Sequence, residues 1–291
     1  MLPDPIFLNV HMYGVMIAVG VFFALLLIYA FGRRMHLSEK FLDFIFYNGV
    51  FSILFGFGAA ALFQALYNYI SDPEKGFHIT GGITFIGGLI GGAAFFLVVW
   101  FFFRRRLDGR LTDILNLVPC CITIAHGFGR IGCFFAGCCY GIPTDFFLAV
   151  KFPHLPVPVH PTQLYEAAFL FLLFALLSYL LLRRKFRYNM SVYLVSYGVF
   201  RFLIEYLRGD ARGSFVSGIS PSQFWSILMV AGGIALFFVL RFLEKKATVS
   251  CPAGICTGSN AGNDPSLSSA TDTADTTSQN PHNPDTKGAS Q

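Results

Sequence analysis

Seven apolar runs, each near or above the roughly 20 residues that a helix needs to cross a hydrocarbon core, leave this chain few choices besides a bundle of membrane helices. They cover residues 12–31, 42–69, 83–103, 111–135, 164–182, 190–206 and 221–242. Only 13% of the 291 residues are charged, far below the soluble norm of about 25%, while 55% are hydrophobic and the mean hydropathy is +0.61. The net charge of +5 comes mainly from short basic clusters beside the runs, so it reads as a topology signal and not as a nucleic-acid surface.

Those clusters set an expected orientation. Arg33 and Arg34 follow the first run; Arg104, Arg105, Arg106 and Arg110 the third; Arg183, Arg184, Lys185 and Arg187 the fifth; Arg241, Lys245 and Lys246 the seventh. With seven helices all four lie on one side, which predicts an outside N-terminus and a cytoplasmic C-terminus. The opening MLPDPIFLNVHMYG has neither a basic leader nor a small-residue cleavage pattern, so the first run is expected to stay as a helix. The expected organisation is one transmembrane domain over 1–246 and a disordered cytoplasmic tail over 247–291, which has no aromatic residue and much Ser, Thr, Asn, Asp and Gly. Cys251 and Cys256 in that tail lack a second ligand pair at zinc spacing and read as free thiols.

Charges inside the runs are the functional signal. A guanidinium at membrane depth costs at least about 2.5–3.5 kcal/mol, so it marks a site by default. Arg130 sits in HGFGRIGCFFAGCCYGIPT; His126 is four residues before it and Cys133 three after, on one helical face. Arg201, Glu205 and Arg208 in YGVFRFLIEYLRGD share another. Glu205 is expected to pair with its neighbours, but one carboxylate cannot neutralise two arginines. The positive excess, joined by Arg130, suits phosphate, whose oxygens match the guanidinium fork. Before the fifth run, VHPTQLYE offers His160, with Thr162 as a candidate N-cap, and Glu166 either as a functional acid or as a complement to the helix N-terminus. Tyr13 in HMYG reads as an interfacial anchor.

The small residues of FGFGAAA, GGITFIGGLIGG and HGFGRIG suit close helix packing, with room for the backbone to bend around a ligand as the alternative. For Cys133, Cys138 and Cys139 three readings stand: small apolar packing, a disulfide or redox pair, and, least supported by the sequence, a metal site. No metal and no cofactor are expected.

HMYGVMIAVG, FIGGLIGG, GRIGCFFAGCCYGIPT, HPTQLYE and YGVFRFLIEYLRGD, in this order, resemble the bacterial prolipoprotein diacylglyceryl transferases from about His11 to Phe242. The resemblance implies a multi-pass inner-membrane enzyme that moves the diacylglyceryl group of phosphatidylglycerol onto the lipobox cysteine thiol of a prolipoprotein, releasing glycerol phosphate. It implies Arg130 and Arg201 at the phosphate, Tyr13 beside the reacting centre, Glu205 and Arg208 ordering the second cluster, and Gly132, Gly137 and Gly141 shaping the signature segment. Cys133, His160 and Glu166 complete the expected substrate-binding set. The chain departs from the family pattern at Ile86, where a histidine is usual, at Ala60 for an arginine, at Cys133 for an asparagine and at Cys138 for an acid. His126, not the usual residue there, is the expected replacement for the missing imidazole. Two other classes remain open: a non-catalytic or repurposed relative that binds anionic lipid or modifies another acceptor, and a transporter, which would favour broken helices and an internal repeat that the chain does not display.

Overall fold

The computed structural model describes residues 11–71, 85–209 and 220–249, and within them seven α-helices joined by turns. They are α1 (Met12–Arg34), α2 (Glu39–Ser71), α3 (Phe85–Phe103), α4 (Leu111–Ala136), α5 (Thr162–Leu182), α6 (Asn189–Ile204) and α7 (Pro221–Val249). Each expected span therefore has its helix. Six are long and apolar enough to cross a membrane, and α3 contributes a shorter apolar stretch over Gly87–Phe103. The tail 250–291 and the side chain of Ile86 lie outside the described residues.

Three boundaries differ from the expectation for local reasons. Helix α7 continues beyond Phe242 through Glu244, Lys245 and Lys246, which are good helix formers. Helix α6 stops at Ile204 instead of reaching Tyr206; a 3-10 turn over Glu205–Leu207 follows, and Arg208 is extended at φ −84° and ψ 140°. Thr162 is not an N-cap: Pro161 holds that position, and the Thr162 hydroxyl donates to the Cys139 carbonyl at 2.8 Å.

Helix α4 packs against α1, α5 and α6, while α2 and α3 form a close pair. Small residues make these approaches feasible. A Cβ on Gly20 of α1 would stand 2.8 Å from the Ala125 carbonyl oxygen of α4, and one on Gly92 of α3 would stand 2.9 Å from the Ser52 carbonyl oxygen of α2. The packing reading of the glycines thus accounts for both seams. The apolar centre joins Ile28, Leu42, Ile45, Leu117, Leu170 and Leu177 from α1, α2, α4 and α5. Within it, Asn189 at the start of α6 is fully buried; its side chain donates to the Asn116 and Leu177 carbonyls at 3.2 Å each.

Between α4 and α5, from Gly141 to His160, the chain forms a compact irregular segment. Isolated bridges pair Gly141 with Arg208, and Val159 with both Pro143 and Val150. Gly141 is needed at this crossing, because a Cβ there would meet the Leu207 carbonyl oxygen at 2.5 Å. The segment thus fastens the ends of α4, α5 and α6 to one another.

The tight approach of α1 to α4 at Gly20 leaves no room for a side chain. Gly20→Val should lower the thermal unfolding midpoint of the detergent-solubilised protein by an amount equivalent to about 1–3 kcal/mol of overpacking. Gly14→Ala, with no atom within 4 Å of its Cβ, should leave the midpoint unchanged.

Candidate functional site

Arg130 lies on the last two turns of α4, and its charge is met by Glu166 from the first turns of α5. Arg130 Nη2 is 3.0 Å from Glu166 Oε1, and the Glu166 side chain is only 2% exposed. The same carboxylate oxygen accepts from the Tyr197 hydroxyl of α6 at 2.7 Å. His126, one turn before Arg130, accepts from Arg130 Nε at its Nε2, at 3.3 Å, and stands 3.7 Å from Glu166. This bond assigns the ring proton to Nδ1 and occupies the nitrogen that a base facing Arg130 would use. Tyr197 meets the His126 ring edge to face at 5.1 Å and stacks with Tyr193. One buried carboxylate thus links α4, α5 and α6, and Glu166 takes a place that neither sequence alternative named, as the counter-ion of Arg130.

The second cluster forms where α6 ends. Arg201 Nη1 contacts Glu205 Oε2 at 2.7 Å, and Arg201 Nη2 donates to Ser222 Oγ at 2.9 Å. Ser220 Oγ donates to the other Glu205 oxygen at 2.8 Å. Ser220 and Gln223 also form a reciprocal cap at the start of α7: Gln223 N donates to Ser220 Oγ at 3.2 Å, and Ser220 N to Gln223 Oε1 at 3.1 Å. Arg208 Nε lies 3.8 Å from Glu205, so the expected pairing of Glu205 with both neighbours is present although Arg208 has left the helix.

The two clusters are electrostatic neighbours: Arg201 acts on both His126 and Glu166. Three guanidiniums therefore face two carboxylates, leaving one positive charge in formal excess. Tyr13 completes this region from α1, within the electrostatic reach of Arg130, Cys133, Cys138 and Cys139. Its backbone oxygen would be 3.2 Å from a Cβ on Gly132, so that glycine lets α1 close on α4.

Three sulfurs also converge here. The Sγ atoms of Cys133, Cys138 and Cys139 lie within 4.8 Å of one another, and none of the five described cysteines is in a disulfide. Gly137 caps α4 at φ 69°, and Cys139 follows at φ 64°, a left-handed conformation uncommon without a glycine. Hydrogen bonding from the Cys133 and Cys138 thiols, with Arg208 alongside, pushes the Cys139 thiol well below its ordinary pKa. His160 stands nearby on the connecting segment; its Nδ1 is 3.3 Å from the Tyr165 hydroxyl, and its backbone oxygen accepts from Gly141 N at 2.8 Å.

Tyr197, Ser220, Ser222 and Cys139 were absent from the expected site. Tyr197 is four residues before Arg201, a spacing that announces a shared face, and SPSQ carries the pattern of a helix cap. An apolar cavity of about 490 Å³, with no arginine in its lining, lies among α2, α3 and α4, with Ala60 and Gly88 in its wall.

Removing the charge of Glu166 leaves Arg130 buried without its counter-ion. Glu166→Gln should therefore destabilise the protein by about 3–5 kcal/mol, whereas Tyr197→Phe, which removes one hydrogen bond, should cost about 1–2 kcal/mol. Denaturation of both variants in the same detergent measures the difference.

The family model described as prolipoprotein diacylglyceryl transferase matches residues 5–239. The chain is 36% identical over 247 residues to the phosphatidylglycerol–prolipoprotein diacylglyceryl transferase of Clostridium tetani, covering 82% of this chain and 96% of that protein. It is 32% identical over 251 residues to phosphatidylglycerol–prolipoprotein diacylglyceryl transferase 2 of Clostridium perfringens, covering 83% and 95%. With the Bordetella bronchiseptica protein of the same activity name it shares 34% identity over 245 residues, covering 79% and 90%. With seven described helices, a buried arginine site carried by α4, α5 and α6, and a match over most of its length, this chain belongs to the prolipoprotein diacylglyceryl transferase family.

Proposed function

We propose that the protein transfers the diacylglyceryl group of phosphatidylglycerol to the lipobox cysteine thiol of a prolipoprotein, in the cytoplasmic membrane of a bacterium. The observation that carries this reading is the convergence of Arg130 and Arg201, from different helices, on one buried polar region inside an apolar bundle. Such donors suit a lipid phosphodiester, the one strongly anionic group that a membrane delivers laterally. Residues 1–246 would form the catalytic domain, with the N-terminus outside and 247–291 as a cytoplasmic tail; the flanking basic clusters support that orientation.

The reaction breaks the bond between the glyceryl carbon and the phosphate oxygen as sulfur attacks that carbon. Negative charge grows on the departing glycerol phosphate, and Arg130 and Arg201 are the groups to stabilise it. Both begin with partners: Glu166 and His126 hold Arg130, and Glu205 and Ser222 hold Arg201, so the guanidiniums are oriented before substrate arrives. Tyr13 would stand beside the reacting carbon, and Arg208 with Glu205 would steady the second cluster. Gly141, Cys133 and His160 would border the acceptor side. The apolar cavity beside Ala60 suits an acyl chain. His126 acts in this scheme as a positioning residue for Arg130.

Purified protein supplied with phosphatidylglycerol carrying label in its diacylglyceryl part and with a lipobox peptide should label the peptide and release glycerol phosphate. Arg130→Ala and Arg201→Ala should each reduce the rate by about 100-fold or more. His126→Gln, which keeps a hydrogen-bond acceptor, should retain more transfer than His126→Ala. A peptide that stays unlabelled, with phosphatidylglycerol bound by the wild-type protein, would refute the transferase reading and leave a lipid-binding relative.

A further inference from the structure

Cys133, Cys138 and Cys139 are not used by the phosphate chemistry, and their geometry is that of a ligand set. Three sulfurs all within 4.8 Å of one another need to close by about 1 Å at most to reach the edge length of about 3.8 Å implied by a tetrahedral zinc site with sulfur at about 2.3 Å. A disulfide would use two of them and strand the third. The sulfurs come from two places, one from the last turn of α4 and two from the reversal after Gly137, where Cys139 takes φ 64°. A non-glycine residue held in that region marks a position where the surroundings fix the backbone against its preference.

Those surroundings are buried and polar. Thr162 and Gln163 at the start of α5, 2% and 1% exposed, donate to the Cys139 and Cys138 carbonyls. Side chains one layer behind a ligand that fix its backbone are a usual accompaniment of metal sites. Arg208 lies beside Cys139, opposing the negative charge that a cation with three thiolates would carry. The sequence alone argued against a metal because ligands had to be counted along the chain; the reversal brings all three together.

We propose that Cys133, Cys138 and Cys139 bind a divalent cation of the zinc class and leave its fourth position open for the acceptor thiol. This rests on the transferase reading and deepens it, because His126 Nε2, taken by Arg130, is not open to receive the thiol proton. The acceptor thiol loses its proton to solvent on binding the cation, as the fourth sulfur ligand. Its lone pair then forms the carbon–sulfur bond, the carbon–oxygen bond to phosphate breaks, and the electron pair leaves with glycerol phosphate. The thioether, a poor ligand, departs, and the proton released at the start balances the charge on the phosphate. No oxidation state changes.

The test uses the full-length protein carrying Cys251→Ser and Cys256→Ser, so that tail thiols contribute no metal. Elemental analysis after reductive purification should find about one zinc per chain. Cobalt loaded in its place should show a thiolate charge-transfer band that strengthens with a lipobox peptide and not with its Cys→Ser counterpart. Cys133→Ser and Cys139→Ser should each lose the metal while keeping the helical signal and a cooperative melt, and zinc removal should slow transfer on the order of a hundredfold. Zinc absent from the parent protein, zinc retained in both serine variants, or transfer unchanged after its removal would overturn the proposal and leave the transferase reading standing. Zinc bound, with the fourth sulfur seen in the cobalt spectrum but no transfer from phosphatidylglycerol, would support the metal site and count against the donor assignment.

Discussion

A guanidinium inside an apolar bundle must find a counter-charge, and the Arg130–Glu166 contact at 3.0 Å is the constraint on which the rest of this structure depends. Because Glu166 also accepts from Tyr197, meeting the needs of one charge fixes α4, α5 and α6 together. The small residues of the fourth helix follow from the same demand: Gly132 lets α1 bring Tyr13 alongside, and Gly127 leaves room for the Phe171 ring of α5. The second cluster repeats the device with local parts, Arg201 and Glu205 on consecutive turns, and then ties them to the cap of α7 through Ser220 and Ser222. The first cluster is balanced and the second keeps one positive charge in formal excess, so the guanidiniums are held in place while a cationic surplus remains at the site.

The helices were legible in the sequence because length and apolarity alone decide what crosses a membrane, and each run has its helix. Arg130, Arg201 and Glu205 were legible because charge at that depth needs a purpose. Glu166 was harder: from its own neighbourhood it could serve the start of α5 equally well, and only the packing of α5 on α4 selects Arg130. Thr162 failed as a cap for a similar reason, since its hydroxyl is taken by a carbonyl 23 residues earlier in the chain. The cysteine triangle depends on two left-handed residues at the end of α4, one of them not a glycine, and periodicity carries no information about such a reversal. The end of α6 was misjudged because its apolar pattern continues through Tyr206, while Arg208 is drawn out to pair with Gly141.

Of the four departures from the family pattern, the three whose side chains are described fall in two different surroundings. Ala60 is buried in the wall of an apolar cavity, where small residues of α2 and α3 leave space and where no polar group is called for. Cys133 and Cys138 stand instead at the polar end of the bundle, within electrostatic reach of Tyr13. The first exchange enlarges an apolar space; the second installs sulfur beside the arginines. In the proposed reaction the two sulfur-bearing changes would lie on the acceptor side, while Arg130 and Arg201 keep the carboxylate partners that orient them.

A phosphate site requires these arginines to be more than mutual structural partners. Native mass spectrometry of the detergent-solubilised protein, offered phosphatidylglycerol and diacylglycerol with the same acyl chains, tests it most directly. The wild-type protein should retain one phosphatidylglycerol, Arg201→Ala should lose that retention, and little diacylglycerol should be retained. Equal retention of the two lipids, unchanged by the substitution, would contradict it and reduce the arginine clusters to internal ion pairs.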